Sequence, residues 1–130
     1  MLKVVIADGN AVSRGLLNTV LMDAGYDVVG MTNSGTQGLA LLQKHHAHMI
    51  CISQDQVEDG NNTVEHIREI LPKTFIFMVS GELDAPTIKS AHGRGVQGFV
   101  VRPFKADAVL KVIRNTVIAA IKKNGPPAAE

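Results

Sequence analysis

The sequence is poor in everything that marks a chain for disulfide stapling, for a membrane or for nucleic acid. It has one cysteine, Cys51, and a lone cysteine excludes an internal disulfide framework. Cys51 lies inside the apolar run of residues 49–52, where a thiol behaves as a small buried hydrophobe. No apolar run approaches the ~20 residues that cross a bilayer. The opening MLKVVIADGN lacks the charged-then-apolar layout of a signal peptide, so a cytoplasmic, reducing compartment is the expectation. Lys and Arg number 13 against 12 Asp and Glu, a formal net charge of +1. There is no basic stripe to advertise nucleic acid and no charged tail. No repeat is visible beyond an alternation of elements.

That alternation is what the sequence does contain. A chain of 130 residues makes one domain with a real core. Residues 2–7 form a Val/Ile-rich run that stops on Asp8, Gly9 and Asn10, the pattern of a strand buried on both faces. Residues 11–24 have helical spacing, with Asn10 as N-cap and Gly25 as the stop. A strand follows at 27–31, then a capping turn at Thr32–Gly35 and a helix to about Lys44. Residues 49–52 read as the third strand and 63–71 as the third helix, with Val64, Ile67, Ile70 and Leu71 inward and Pro72 at its end. The fourth strand is 75–79. The fourth helix is 86–92, started by Asp84 with Pro86 in its first turn. The fifth strand is Gly98–Val101 and the last helix 106–123. Asn124, Gly125, Pro126 and Pro127 break that helix, so the domain is 1–123 and 124–130 is a flexible tail.

Five strand–helix alternations predict a doubly wound α/β fold, a five-stranded parallel sheet with helices on both faces. Four strands end on polar residues at one edge: Asp8, Ser53, Ser80 and Arg102. The carboxyl edge of such a sheet is where its chemistry resides. The centre of interest is the stretch 49–60, MICISQDQVEDG, in which a buried strand stops on Ser53 and runs into the acids Asp55, Glu58 and Asp59.

With those residues in place, the chain resembles the receiver domain of two-component response regulators over nearly its whole length. The motifs are IADGN, ICIS followed by DG, FMVSGE and GFVVRPF. The resemblance implies a flavodoxin-like receiver fold. It also implies phosphorelay signalling, in which a histidine kinase phosphorylates an aspartate ending the third strand. Two acids after the first strand, with that aspartate, would hold Mg²⁺. A Ser or Thr ending the fourth strand and a Lys ending the fifth would contact the phosphoryl group, and an aromatic on the fifth strand would move with them.

The sequence departs from that pattern at most of its chemical positions. The phosphoacceptor-equivalent is Ser53. The first acid is kept as Asp8, but the second is Gly9. The hydroxyl is kept as Ser80 and the aromatic as Phe99, the two switch positions, and the lysine is Arg102. The loop after Ser53 is one residue shorter than usual and lacks the family's common proline. Magnesium wants a compact cluster of hard oxygen ligands. Asp8 alone, opposed by Arg102, is a weak metal position, so no cofactor is expected. Ser53 cannot form an acyl phosphate, and its hydroxyl needs an activating base. His48, at the other end of the same strand, lies ~15 Å away at strand rise. The arginine fork suits a bidentate carboxylate, so Arg102 is expected to pair with Asp8 or with a loop acid such as Asp55.

The remaining features are quieter. His45, His46 and His48 lack a metal-ligand spacing, and the glycines form no phosphate loop. The last helix carries Val109, Leu110, Val112, Ile113, Val117, Ile118 and Ile121, more than one narrow stripe. Its excess reads either as broad core contact or as a partner surface exposing Val112 and Ala119 or Ala120.

The expectation is therefore a pseudo-receiver, not an enzyme. It would not be phosphorylated on aspartate, and would bind a sensor kinase or downstream effector through the fourth helix, fifth strand and fifth helix. Dimerisation stays open. The alternatives are a phosphoaccepting regulator using Asp55 as substitute acceptor, and a receiver fragment of a longer regulator.

Overall fold

The computed structural model describes residues 2–124. The strands are β1 (Lys3–Ala7), β2 (Asp27–Thr32), β3 (Met49–Ser53), β4 (Phe75–Ser80) and β5 (Gly98–Val101). The helices are α1 (Ala11–Asp23), α2 (Gly35–His45), α3 (Gln54–Val57), α4 (Thr63–Ile70), α5 (Ala85–Arg94) and α6 (Ala106–Asn124). The strands form one parallel sheet in the order β2-β1-β3-β4-β5. The doubly wound α/β expectation holds.

Local signals place most boundaries. Asn10 caps α1 by accepting from the Ser13 amide at 2.9 Å, and Gly25 follows at φ 92°, a left-handed conformation that suits glycine. Ser34 caps α2 and Asp84 caps α5, with proline in the first turn. β3 and β4 are buried at every residue, as central parallel strands should be.

Period-2 alternation sends side chains to two layers. Val5, Ala7, Ile50, Ile52, Ile76 and Met78 pack under α2, α4 and α5 with Leu42, Val64, Ile67 and Ala91. Val4, Ile6, Met49, Cys51, Phe77 and Val79 pack under α1 and α6 with Leu17, Leu21, Val109 and Ile113. Cys51 is fully buried and unpaired, and burial pushes its thiol up to about 12. β5 sits tight on β4 because Gly98 has no side chain. A Cβ there would stand 2.8 Å from Phe77 Cδ1.

Four details differ from the sequence expectation. The segment after Ser53 is not a loop but the single turn α3. Four residues are too few to carry a helical period. Ile70 is 51% exposed rather than inward, because it ends α4, one step off the face of Val64 and Ile67. On α6 the exposed large apolar residues are Ile118 and Ile121, whereas Val112 and Ala120 lean on the core and Ala119 is exposed. Asn124 is the last residue of α6 rather than its break, and the tail from 125 onward lies outside the described residues.

Candidate functional site

The strand order brings Asp8, Ser53, Ser80 and Arg102 to neighbouring strand ends, in that sequence across the edge. Asp8 belongs to the end of β1 and is 1% exposed. A carboxylate so buried needs partners, and this one has three. Its Oδ1 accepts from the Asn10 amide at 2.9 Å. Its Oδ2 accepts from the Ser13 hydroxyl at 2.6 Å and from Arg102 Nη2 at 3.1 Å. Arg102 Nε donates to the same Ser13 Oγ at 2.8 Å. Arg102, Ser13 and Asp8 therefore close a three-membered ring between the end of β5, the first turn of α1 and the end of β1. The ring spans the ends of β4 and β3, which lie between β5 and β1 in the sheet. Of the two kinds of partner expected for Arg102, Asp8 or a loop acid such as Asp55, the ion pair forms with Asp8. Arg102 keeps about a third of its side chain in solvent while Asp8 keeps almost none. Arg14 adds a bond from Nη1 to the Asp8 carbonyl at 2.6 Å.

Ser80 is engaged elsewhere. Its Oγ shares its proton between Gln54 Oε1 at 2.5 Å and the Glu82 carbonyl at 2.6 Å. Gln54 Nε2 in turn donates to the Glu58 carboxylate at 3.2 Å. Between these two networks lies Ser53, fully buried, with no hydrogen-bond partner for its hydroxyl. Its layer, read from alternation with Met49 and Cys51, is that of α1 and α6. Ser80 and Phe99 belong to the opposite layer.

The residues present do not fit a magnesium ion. Among the described residues no three His, Cys, Asp or Glu side chains gather where they could hold a metal. The one buried carboxylate has both oxygens committed, and its charge is already met by a guanidinium. Gly9 withholds a second acid, although a Cβ there would touch nothing closer than Asp55 Oδ2 at 3.5 Å. Asp55 thus overhangs Gly9 from the first turn of α3. It is exposed and is bonded by Gln56 Nε2 at 3.4 Å. Among the described residues His48 is tied to the far end of the sheet, its Nδ1 accepting from the Lys3 amide at 3.0 Å.

Sequence reasoning missed three participants. Ser13 looks like an ordinary helix residue until α1 docks; a hydroxyl three residues past the N-cap of an apolar helix was the available signal. Gln54 directly follows the acceptor position, and its reach to Ser80 depends on α3. His92 meets Phe99 edge to face, with ring centroids 5.1 Å apart at 88°.

The comparisons with known proteins identify the family and the fold. A family model described as the response regulator receiver domain matches residues 4–114. The chain is 27% identical over 116 residues to the chemotaxis protein CheY of Bacillus subtilis (strain 168), covering 88% of this chain and 97% of that protein. A chemotaxis response regulator of Vibrio cholerae superposes with a TM-score of 0.77 at 27% identity, over 89% of this chain and 98% of that one. A response regulator of Thermotoga maritima gives a TM-score of 0.81 at 18% identity, over 91% and 98%, a likeness of fold. Among the described residues no helix is long and apolar enough to cross a membrane. With the family model spanning most of its length, the chain belongs to the response regulator receiver domains, which are signalling regulators of two-component systems rather than enzymes.

Proposed function

We propose that this receiver domain is a pseudo-receiver: a cytoplasmic signalling module that does not accept a phosphoryl group on aspartate and acts by binding a protein partner. The observation that carries the reading is the Arg102–Ser13–Asp8 ring. It joins the one retained acid to a fixed cation, beside a serine where an acyl phosphate would need a carboxylate. Closing the pocket this way stabilises one state without an incoming charge. The partner, a sensor kinase or a downstream effector, would meet the face made by α5, β5 and α6. Ser80 and Phe99 lie on the side of the sheet that leads to it.

The test is incubation with Mg²⁺ and a small acyl-phosphate donor, followed by intact-mass spectrometry. The expected result is an unmodified chain. A labile phosphoryl adduct would end the pseudo-receiver reading. One observation supports a second reading: Asp55 stands over Gly9, at the mouth of the site. If Asp55 is a substitute acceptor, an adduct forms and Asp55→Asn abolishes it.

A further inference from the structure

Two residues of this fold are expected to move as a pair, Ser80 and Phe99, and here each is held by something else. The Ser80 hydroxyl has one proton and two lone pairs. It spends them on Gln54 Oε1, the Glu82 carbonyl and the Glu82 amide, the last at 3.3 Å. Phe99, half-buried on β5 and in register with Met78, instead meets the imidazole of His92 on α5. Edge-to-face geometry is a favoured arrangement for aromatic rings, positive edge against negative face.

The imidazole does not swing freely. Its Nδ1 bonds the Val96 carbonyl at 2.9 Å, so the ring is oriented by the turn that leads into β5. That turn is itself pinned. Arg68 Nη2 donates to the Gly95 carbonyl at 2.8 Å, the Gln97 amide donates to the Ile76 carbonyl at 2.8 Å, and Val96 is buried. His92 is nonetheless solvent-exposed on its outer side. A rigid turn thus presents, from the surface, the one described aromatic contact that Phe99 makes.

We infer that His92, not Ser80, positions Phe99. This inference rests on the reading of a closed pocket, and it names how the α5–β5 face is set once the pocket no longer sets it. His92 is a positioning residue. A partner that engages the outer side of α5 at His92 turns Phe99 directly, whereas a change at Ser80 is absorbed by Gln54 and the Glu82 turn.

The experiment is NMR of the full chain carrying labelled phenylalanine in His92→Ala, His92→Phe and Ser80→Ala; the parent chain, His92→Ala and Ser80→Ala give four ring systems, and His92→Phe gives a fifth from its new side chain. The expected result is that His92→Ala moves and averages the Phe99 ring signals and leaves Phe75, Phe77 and Phe104 in place. His92→Phe, which keeps an aromatic edge at that position, restores a single ordered Phe99 ring. Ser80→Ala shifts amides of Gln54 and Glu82 but not the Phe99 ring. The inference is overturned if Ser80→Ala disturbs Phe99 as much as His92→Ala does, or if His92→Ala leaves Phe99 unmoved. Because His92 is exposed, its variants keep the fold. The acyl-phosphate assay on the same samples is a separate readout: an adduct on the parent chain defeats the closed-pocket reading whatever Phe99 does.

Discussion

The outer and inner strand ends of the site solve the same problem in opposite ways. Asp8 and Arg102, at the ends of β1 and β5, are an acid and a base paired with each other, and the carboxylate accepts three hydrogen bonds. Ser53 and Ser80, at the ends of β3 and β4 between them, are neutral. One is engaged by its neighbours, and the other is buried with no partner. Charge has been moved off the centre of the site and tied up at its flanks. A site built to receive a dianionic group needs the reverse, with its cation free and its nucleophile central. On the proposed pseudo-receiver reading, the contrast means that an internal ion pair supplies what an external ligand would otherwise bring.

The strongest way to break this contrast is to return charge to the centre. Gly9→Asp, Ser53→Asp and Arg102→Lys together restore three carboxylates against one lysine. A side chain at Gly9 meets only ordinary contacts. The expected outcome is a gain from no adduct to a labile phosphoryl adduct with an acyl-phosphate donor and Mg²⁺, read by intact mass. A triple variant that folds and stays unmodified would show that α3 and its Gln54 network close the site as well.

The next effect separates the outer pair. Arg102→Ala leaves the Asp8 carboxylate buried without its cation, a change that costs about 2–3 kcal/mol after allowing for the exposed third of Arg102. Asp8→Asn leaves the better-solvated partner behind and costs less, about 1–2 kcal/mol. Urea denaturation of both single variants and the double variant gives the coupling. A cycle near zero would mean that the ring is geometry without energy. Ser13→Ala belongs to the same cycle, because its hydroxyl both donates to Asp8 and accepts from Arg102.

A smaller effect lies at the edge of the site, in the cap of α5. The bonds from the Thr87 side chain and backbone amide hold the Asp84 carboxyl below its ordinary range. A folded pKa below the unfolded one gives stability that is present above the unfolded value and is lost as pH falls through the folded one. Protection of α5 amides against hydrogen exchange is therefore expected to weaken on acidification below the carboxylate range, and Asp84→Asn, which keeps a capping oxygen, should weaken less. Equal loss in both chains would place the acid sensitivity elsewhere.

How much of this was legible in the sequence follows from the range of each interaction. Asn10, Ser34 and Asp84 bond amides three residues away, so local pattern was enough to find them. The Asp8–Arg102 pair spans 94 positions, and convergence of the strand ends narrowed the partner of Arg102 to Asp8 or a loop acid such as Asp55, between which only the folded structure chooses. Ser13, Gln54 and His92 were not legible. Each is an unremarkable polar residue locally and becomes a partner only once α1, α3 or α5 is docked. Ile70 was misjudged, and Val112 was left open between core and surface, for a related reason: a stripe on a helical wheel says which face is apolar, not how far the neighbouring element covers it.

The finest test of the contrast is the centre itself. Ser80→Ala removes bonds to Gln54 and to the Glu82 turn and is expected to cost about 1 kcal/mol. Ser53→Ala removes a hydroxyl that is desolvated and unpartnered, so the same deletion is expected to be neutral or to stabilise the fold by up to about 1 kcal/mol. The two serines end adjacent strands, and both are almost wholly buried, which makes each the control for the other. Opposite signs in parallel urea melts mean that Ser53 is held in place by its neighbours and adds nothing to them. If Ser53→Ala instead destabilises like Ser80→Ala, the Ser53 hydroxyl has a partner in solution, and the centre of the site is a working polar contact rather than a silenced one.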